Sequence, residues 1–393
     1  MLNTAFSEWP SFTTDEADAV RDVILSNRVN YWTGGRCRQF EREFATWTGT
    51  AHAVALANGT LALDVALKAL EIGPGDEVVV TPRTFLASAS AIVNAGAAPV
   101  FADIDRDSQN ITADTIRTVL TPRTRAIICV HLAGWPCDMD PIMELAREHG
   151  LKVIEDCAQA HGAHYKGQPV GSIGDIGAWS FCQDKIMTTG GEGGMATTQD
   201  SSLWKRMWSY KDHGKSWDAV YERDHPPGYR WLHEGFGTNW RMMETQAAIG
   251  LIQLERMPQW QAARLANAQR IWDCARTLPG LRVPDIPADI EHAAYKCYVF
   301  AEPDALREGW SRDRIIQEIN ALGVPCYAGS CSEIYLEKAF DNTSWRPRER
   351  LPVARELGET SLMFLVHPTL SEDEIARTCA ALEQVMHAAV NRG

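Results

Sequence analysis

The stretch that decides the fold is residues 153–194, VIEDCAQAHGAHYKGQPVGSIGDIGAWSFCQDKIMTTGGEGG. Two apolar runs lie in this stretch, and a charged residue follows each of them. Asp156 closes the first run, while Lys185 follows the second run, AWSF at 178–181, and leads into a glycine-rich turn. Short apolar runs that end in polar side chains are typical of buried strands whose ends open onto a binding site.

A similar pattern of short apolar runs extends on both sides of this stretch. From about residue 14 to residue 256, apolar runs of strand length alternate with segments of helix length. The strand-like runs cover 52–57, 77–82, 99–105, 126–132 and 151–157. Strands of continuous apolar character separated by helices indicate a parallel sheet that is covered on both faces. We therefore predict an α/β fold in which residues 14–256 form a large domain with a mainly parallel sheet between helices.

The chain changes character after a long helical segment, predicted over 242–277, which Pro258 is expected to break or kink. The remainder contains further strand-like and helix-like runs and ends in a helix predicted over 371–390. We predict that residues 257–393, together with residues 1–13, form a smaller C-terminal α/β domain.

The composition of the chain disfavours several classes of binding partner and indicates its compartment. The 393-residue chain has a formal net charge of −13, which disfavours nucleic acid and anionic membranes as partners. The longest apolar stretch, 87–102, is interrupted by Asn94, Gly96 and Pro99, and the N-terminus lacks the basic and apolar regions of a signal peptide. Ten cysteines without a CxxC pair indicate free thiols in a reducing compartment. We expect a cytoplasmic protein that binds no metal.

Polar and small side chains follow four of the predicted strands. In chain order these residues are Asn58, Gly59, Thr60, Thr84, Phe85, His131 and Asp156. Ligands of open parallel sheets bind in a crevice outside the carboxyl ends of the strands. We therefore expect these side chains to face one crevice.

Asp156 and Lys185 are the pair of groups that pyridoxal 5'-phosphate (PLP) requires. A carboxylate beside the pyridine nitrogen keeps the ring an electron sink, and a lysine binds the aldehyde covalently as a Schiff base. Taken alone, Lys185 reads as a solvated surface charge and Asp156 as a helix N-cap. Together they favour a PLP site, with both residues catalytic. Glu155 alternates to the other side of the strand, away from the ring.

The other predicted cofactor contacts surround this pair. They are Asn58, Gly59, Thr60, Phe85, Gln159 and Ser180. The NGT segment precedes a helix, whose N-terminal N–H groups favour a phosphate, and the Ser180 hydroxyl would bind the same group. Gln159 would hydrogen-bond the phenolic oxygen, and Phe85 would stack on the ring. Each of these residues also has an ordinary structural alternative. The NGT segment would be only a turn with a helix cap, Gln159 a solvated helix residue, and Phe85 a core aromatic residue.

A long segment, 211–236, is rich in His, Trp, Tyr, Arg and Gly and is predicted to be a binding loop. The side chains in it that suit a polar, phosphate-bearing substrate are His213, Lys215, Tyr229, Arg230 and His233. The alternative is a solvated surface loop. Just beyond it, Asn239 and Arg241 would bind phosphate or carboxylate groups, unless the segment is merely a loop that starts a helix.

With these residues in hand, the chain resembles the sugar aminotransferases of the DegT/DnrJ/EryC1/StrS family, which are fold-type I PLP enzymes related to aspartate aminotransferase. The resemblance covers nearly the whole chain. The segments that carry it lie at 73–92, 96–105, 131–140, 153–181, 185–194, 237–250 and 351–357. Departures from the family pattern occur at Cys157, Ala133 and Trp135 and in the aromatic loop, and they bear on substrate identity rather than on chemistry.

The resemblance implies the cofactor contacts named above and adds one across a subunit boundary. Asn239 is expected to reach the phosphate of the neighbouring subunit's cofactor, so a homodimer with shared active sites is implied. Some family members are dehydratases in which a histidine replaces the lysine. This chain keeps Lys185, which favours transamination.

The implied reaction moves an amino group from L-glutamate to the keto group of a nucleotide-linked 4-keto or 3-keto deoxysugar. Such products feed lipopolysaccharide, other glycans or glycosylated natural products. The alternatives are a cyclitol aminotransferase or a deoxysugar dehydratase of the same family. A non-catalytic regulator or binding protein that has kept the fold is the alternative from another class.

Overall fold

The computed structural model describes residues 6–225, 227–228 and 230–390. Its strands are β1 His52–Leu56, β2 Glu77–Val80, β3 Ala98–Phe101, β4 Thr124–Val130, β5 Lys152–Asp156, β6 His164–Tyr165, β7 Gln168–Pro169, β8 Ile176–Ser180, β9 Gly194–Thr198, β10 Leu281–Arg282, β11 Ile290–Glu291, β12 Cys297–Ala301, β13 Cys326–Tyr327 and β14 Ser361–Phe364. Its helices are α1 Thr14–Leu25, α2 Arg36–Thr48, α3 Gly59–Ala69, α4 Ala87–Asn94, α5 Ala113–Arg117, α6 Met139–His149, α7 Ser201–Lys211, α8 Trp217–Tyr221, α9 Glu244–Arg276, α10 Arg312–Ala321, α11 Pro352–Thr360 and α12 Glu372–Ala389.

A seven-stranded sheet with the order β1-β9-β8-β5-β4-β2-β3 forms the centre of the fold. The strands from β3 through β2, β4 and β5 to β8 pair in parallel, whereas β9 is antiparallel to both of its neighbours. The predicted α/β fold with a mainly parallel sheet is confirmed. Strand β9 was not predicted, because its sequence, GMATT, has small and threonine residues in place of an apolar run.

Helices cover both faces of this sheet. On one face, Val78 and Val80 of β2 pack in a cluster with side chains of α3, α4 and α7. On the other face, Val79 packs in a cluster with Ile142 and Leu145 of α6. Because successive side chains of a strand point to opposite faces, burial on both faces explains why these strands read as continuous apolar runs.

A second sheet, with the antiparallel order β10-β12-β14-β13, lies in the C-terminal part of the chain. It packs in a separate cluster with side chains of α10, α12 and the end of α9. The strands β11, β6 and β7 form a small third sheet. The C-terminal part of the chain therefore has the expected α/β structure. The division of the chain into domains of residues 14–256 and of residues 257–393 with 1–13 stays a prediction.

The long helix predicted over 242–277 is one uninterrupted element, α9, with Pro258 inside it. The expected break at Pro258 is absent. A proline in a helix interior removes one hydrogen bond and crowds the preceding turn. Side chains on both sides of Pro258 are buried, Leu254 in one core cluster and Ala268 in the next, and this packing holds the helix together.

The N-terminal segment, residues 6–12, lies against the C-terminal part of the chain. Phe6 packs against the second-sheet cluster, and the Ser7 N–H donates to Glu374 at 2.5 Å. The Thr369 hydroxyl donates to the Glu8 carbonyl at 2.9 Å. The start of the chain is thus tied to the region of the second sheet.

Two further observations concern the whole described chain. All ten cysteines lie within it and carry free thiols. Across the described ranges, none of the helices combines the length and the apolar character needed to cross a bilayer.

Candidate active site

The carboxyl ends of the parallel strands open onto a cavity of about 860 Å³. Nine of the residues that the sequence singled out line it together: Asn58, Gly59, Thr60, Thr84, Phe85, Asp156, Gln159, Ser180 and Lys185. They come from four strand ends and from the turn after β8, so the sheet topology alone brings them to one place.

His131, which was also expected at this crevice, does not line it. Its Nε2 pairs with buried Glu155 at 3.0 Å, and its Nδ1 accepts the N–H of Cys137 at 2.9 Å. The expectation that His131 faces the crevice is wrong: Val130 pairs with Asp156 and Cys129 with Glu155, so side-chain alternation along β4 places His131 on the Glu155 side of the sheet. With both ring nitrogens bonded, His131 serves the structure.

Glu155 is the centre of a buried hydrogen-bond network. Besides His131, it accepts the N–H groups of Gly171, Ile173 and Gly174 at 2.7–2.8 Å. Burial acts to raise the pKa of Glu155, but the bonds from His131 and the N–H groups outweigh it, and the pKa is lowered. The ionised carboxylate therefore stabilises the turn between β7 and β8.

We expect Glu155→Gln to lower the free energy of unfolding at pH 7 by about 2–4 kcal/mol, because several N–H donors lose their anionic acceptor. A carboxyl with a lowered pKa in the folded state stabilises the fold above its unfolded pKa, and this contribution is lost as pH falls through the folded pKa. The difference between wild type and variant should therefore shrink below about pH 4. Thermal unfolding at a fixed scan rate, from pH 3 to pH 8, measures it.

Glu148→Gln, at an exposed glutamate of α6, is the matched control and should leave the unfolding midpoint unchanged. A Glu155→Gln protein as stable as wild type at pH 7 would show that the network contributes nothing.

Asp156 lies buried at the end of β5, inside the crevice. Its Oδ2 accepts the hydroxyl of Ser88 at 2.8 Å, and its Oδ1 accepts the N–H of Ala158 at 3.2 Å. Burial raises the pKa of Asp156, while these two bonds and the charge of Lys185 oppose the rise. A buried carboxylate in this situation favours a cationic partner within the cavity. Ser88 was not predicted, because it is 68 residues away from Asp156 in the chain.

Gln159 presents a hydrogen-bond donor to the same cavity. Its Oε1 accepts the N–H of Ala133 at 2.9 Å, which fixes the orientation of the amide. The Nε2 group then points away from Ala133, and no acceptor for it occurs among the described residues. The side chain is thus prepared to donate to an oxygen of a bound molecule.

The N-terminus of α3 forms an anion cradle with β8. Asn58 caps the helix by accepting the N–H of Leu61 at 3.0 Å, so its side-chain oxygen is committed to the helix rather than to a ligand. Gly59 lies so close to β8 that a Cβ there would be 2.4 Å from the Cβ of Ser180. The Ser180 oxygen accepts the N–H of Cys182 at 3.3 Å, which leaves its proton free to donate. N–H groups at a helix start and a hydroxyl beside them suit a phosphate.

We expect Gly59→Ala to raise the dissociation constant for PLP at least about tenfold, because the added methyl group must push α3 away from Ser180. The measurement is a fluorescence titration of the apoenzyme with PLP. Gly73→Ala is the control, since a Cβ at Gly73 meets no atom nearer than 3.8 Å. An affinity equal to that of wild type would count against the cradle as the phosphate site.

Lys185 lies in the turn after β8, and its surroundings come from distant parts of the chain. Its backbone carbonyl accepts the indole N–H of Trp9 at 2.8 Å, and its Nζ lies 5.2 Å from the centroid of the Tyr295 ring. The Tyr295 hydroxyl donates to Asp184, and Lys296 lines the same cavity. These neighbours were not predicted, because no sequence motif links them to Lys185.

Phe85 follows β2 and is 72 % exposed although it is a large apolar side chain. Since it lines the cavity, its exposed ring suits a flat partner stacked on it.

The aromatic segment lies elsewhere in the same chain. Its described candidates His213, Lys215, Arg230 and His233 do not line the crevice, and neither does Asn239; Tyr229 lies outside the described residues. Lys215 Nζ bonds Asp212 at 3.1 Å and lies 4.1 Å from the Trp32 ring centroid. Within one chain, these residues and the crevice form two separate groups.

The groups that face the crevice match PLP. Asp156 offers a carboxylate for the pyridine nitrogen, Gln159 a donor for the phenolic oxygen, and the cradle at Gly59 and Ser180 a phosphate site, with Lys185 in the same cavity. The fold and the crevice define a fold-type I PLP-dependent transferase.

The chain belongs to the DegT/DnrJ/EryC1/StrS aminotransferase family, whose sequence pattern matches residues 10–383. It is 38% identical to a GDP-perosamine synthase of Caulobacter vibrioides, over 93% of this chain and 95% of the relative. It is 36% identical to a UDP-N-acetyl-3-dehydro-alpha-D-glucosamine 3-aminotransferase of Acidithiobacillus ferrooxidans, over 94% and 95%. The crystal structure of an aminotransferase from Psychrobacter cryohalolentis superposes with a TM-score of 0.96 at 66% identity, over 98% and 99%. The predicted family, cofactor and transaminase class are confirmed.

Proposed function

We propose that this aminotransferase moves the amino group of L-glutamate to the keto group of a nucleotide-linked deoxysugar, at carbon 3 or carbon 4. The observation that carries the proposal is the meeting of Lys185 and Asp156 in one crevice, in a chain whose relatives are named for products and substrates linked to GDP and UDP. The product would be an amino sugar for lipopolysaccharide, another glycan or a glycosylated natural product.

When bound, PLP supplies a ring that stabilises negative charge on the carbon that loses or gains the amine. Asp156 is placed to hold a positive charge at the ring nitrogen, and its bonds to Ser88 and Ala158 keep the carboxylate in position. The Lys185 amine is the proton carrier: it takes the proton from the donor Cα and later returns one to the sugar carbon. Both roles need a site that excludes water. Asp156 is buried, so water is excluded around the carboxylate that would contact the ring nitrogen.

The remaining groups hold the cofactor. The N-terminus of α3 at Gly59 and Thr60, with the Ser180 hydroxyl, would bind the phosphate. Gln159 would donate to the phenolic oxygen, and the exposed ring of Phe85 would stack on the pyridine ring.

The second part of the proposal is a homodimer with shared active sites. Asn239 and the described candidates of the aromatic segment lie away from the crevice of their own chain, which is the arrangement expected if they serve the crevice of a partner. In that arrangement Asn239 reaches the partner's cofactor phosphate. His213, Lys215, Arg230, His233 and also Tyr229 would contact the nucleotide-linked sugar. We place the enzyme in the cytoplasm, since ten free thiols suit a reducing compartment.

The test is the absorption spectrum of the purified enzyme before and after L-glutamate. We expect a yellow protein that loses its long-wavelength band as the cofactor takes up the amine, and that regains the band with a nucleotide-linked keto sugar. A protein that stays colourless after PLP is added would refute the Lys185 assignment.

The acceptor screen then separates the alternatives by product. Gain of an amine by a nucleotide-linked sugar supports the proposal. Gain by a cyclitol ketone, or loss of water from a deoxysugar, would replace it. A yellow protein that does not respond to glutamate would move the assignment to another donor or to a non-catalytic role.

A further inference from the structure

A second cavity, of about 780 Å³, adjoins the crevice. The two cavities share five lining residues: Asp184, Tyr295, Lys296, Tyr327 and Leu365. The N-terminal segment, residues 6–12, lies along the second cavity, and the turn at Gly190 and Gly191 after Lys185 forms part of its wall. A small molecule that occupies this cavity would therefore border the crevice that Lys185 lines.

Arg264 of α9 lines the second cavity and is 1 % exposed. Its Nε and Nη2 atoms are buried without a hydrogen-bond partner among the described residues. The guanidinium carbon lies 4.8 Å from the centroid of the Trp9 ring, so the flat face of the group is covered while its edge is left without an acceptor. Burial lowers the pKa of Arg264 to about 9, and the group stays charged at neutral pH. A buried guanidinium without an anion is costly, and this one lacks its acceptor.

The charges around Arg264 leave room for one more anion. Lys296 lines both cavities, and burial lowers its pKa to about 8, with the charges of Arg264 and Lys185 acting in the same direction. Asp184 and the exposed Glu8 are the carboxylates that line the cavity. His367, also in the wall, is neutral at pH 7, because burial lowers its pKa to about 3. The two cations that line the cavity, Arg264 and Lys296, thus face two carboxylates that are both exposed to solvent.

We propose that Arg264, with Lys296 beside it, binds a carboxylate of the amino donor. The inference rests on the proposed function and names the donor subsite of that reaction. The edge of a guanidinium matches the two oxygens of a carboxylate. The donor amine must reach Lys185, which lines the neighbouring crevice. Because the two cavities share a wall, a donor whose carboxylate is bound by Arg264 lies next to that crevice.

The same surroundings disfavour the diphosphate of a nucleotide at this place. Asp184 and Glu8 repel a multiply charged diphosphate more strongly than a singly charged carboxylate. Phe6, Trp9 and Phe12 add apolar wall, which suits the short carbon chain of an amino acid.

Trp9 ties this subsite to the catalytic lysine. Its indole covers the guanidinium of Arg264, and its N–H donates to the carbonyl of Lys185. The ring also stacks on His367, with centroids 6.1 Å apart, which holds it in one orientation.

The experiment follows the half-reaction of the PLP-loaded enzyme with L-glutamate by stopped-flow absorbance, in wild type and in Arg264→Gln, Arg264→Lys and Lys296→Gln. We expect Arg264→Gln to raise the glutamate concentration for half-maximal rate at least about tenfold, with the maximal rate within about threefold of wild type. Arg264→Lys keeps the charge but loses the planar edge and should lie in between. Lys296→Gln should raise it about threefold or more.

Arg270→Gln, at an exposed arginine of the same helix, is the matched control and should behave as wild type. L-alanine in place of glutamate locates the carboxylate. An equal penalty for both donors assigns Arg264 to the α-carboxylate, and a penalty for glutamate alone assigns it to the distal one. Pyrophosphate is added as a competitor, and competition that depends on Arg264 while the glutamate dependence of the variant stays normal would overturn the inference.

Wild-type glutamate dependence in both Arg264→Gln and Lys296→Gln would also overturn it. If Arg264→Gln fails to fold, as judged by circular dichroism and PLP binding, Arg264→Lys and Lys296→Gln decide the question, and normal glutamate dependence in both refutes the subsite. A wild-type enzyme that does not respond to glutamate at all refutes the proposed function instead, so the two failures are distinguishable.

Discussion

Lys185→Ala should abolish transamination, lowering turnover at least about 10⁴-fold, since the variant loses both the covalent attachment of the cofactor and the proton carrier. Among the described residues, the other amine that lines this cavity is Lys296. Lys296 directly precedes β12 of the second sheet and does not lie in the turn after β8, so it should not take over fully. The measurement is steady-state turnover with L-glutamate, together with the absorption spectrum of the variant mixed with PLP.

The spectrum separates chemistry from folding. Asp156, Gln159 and the phosphate cradle remain in Lys185→Ala, so the variant should still bind PLP, with the spectrum of a free aldehyde. Lys338→Ala, at an exposed lysine, is the control and should keep full activity. Turnover in Lys185→Ala equal to that of the control would refute the assigned role.

Asp156→Asn should lower kcat about 10²–10⁴-fold while PLP remains bound. Asparagine has nearly the same shape: its single oxygen can still accept the N–H of Ala158, and its NH₂ group can donate to the Ser88 oxygen, so the local structure should be kept. What is lost is the negative charge that holds a proton at the ring nitrogen. Without that charge the ring withdraws electrons weakly, and proton removal from the donor Cα becomes slow. Single-turnover kinetics with glutamate measure this step directly.

The control for this variant is Asp114→Asn, which changes an exposed aspartate of α5 and should leave kcat unaltered. A kcat for Asp156→Asn within about threefold of wild type would show that the ring nitrogen needs no anionic partner here. Loss of PLP binding would instead assign Asp156 to cofactor retention.

The crevice could be predicted from the sequence because its central residues follow strands. Apolar runs mark the strands, and parallel strands end at one edge, so Asp156, Gly59 and Phe85 were expected to meet, and they do. For His131 the same reasoning failed. A run shows where a strand ends, but the alternation of side chains decides which side each residue faces, and here it places His131 on the side of Glu155 rather than of Asp156.

The partners from distant segments could not be predicted. Ser88, Tyr295 and Arg264 reach the site through tertiary packing, and each is an ordinary residue of a helix or a loop in its local sequence. The aromatic segment shows the opposite effect. Trp217 packs on Trp204 and Trp208 of α7, with ring centroids 4.6 and 5.0 Å apart, so part of its aromatic content serves packing.

The uninterrupted course of α9 has a mechanical consequence. Gln253 of this helix accepts the N–H of Thr188, three residues beyond Lys185, while Arg264 lies three turns further along the same rod. One continuous helix therefore fixes the distance between the turn that carries Lys185 and the buried guanidinium of Arg264. Inserting one residue between Gln253 and Arg264 would rotate the guanidinium by about 100° around the helix axis, out of the cavity. Among homologous chains, length changes in this interval should be far rarer than changes of side chain.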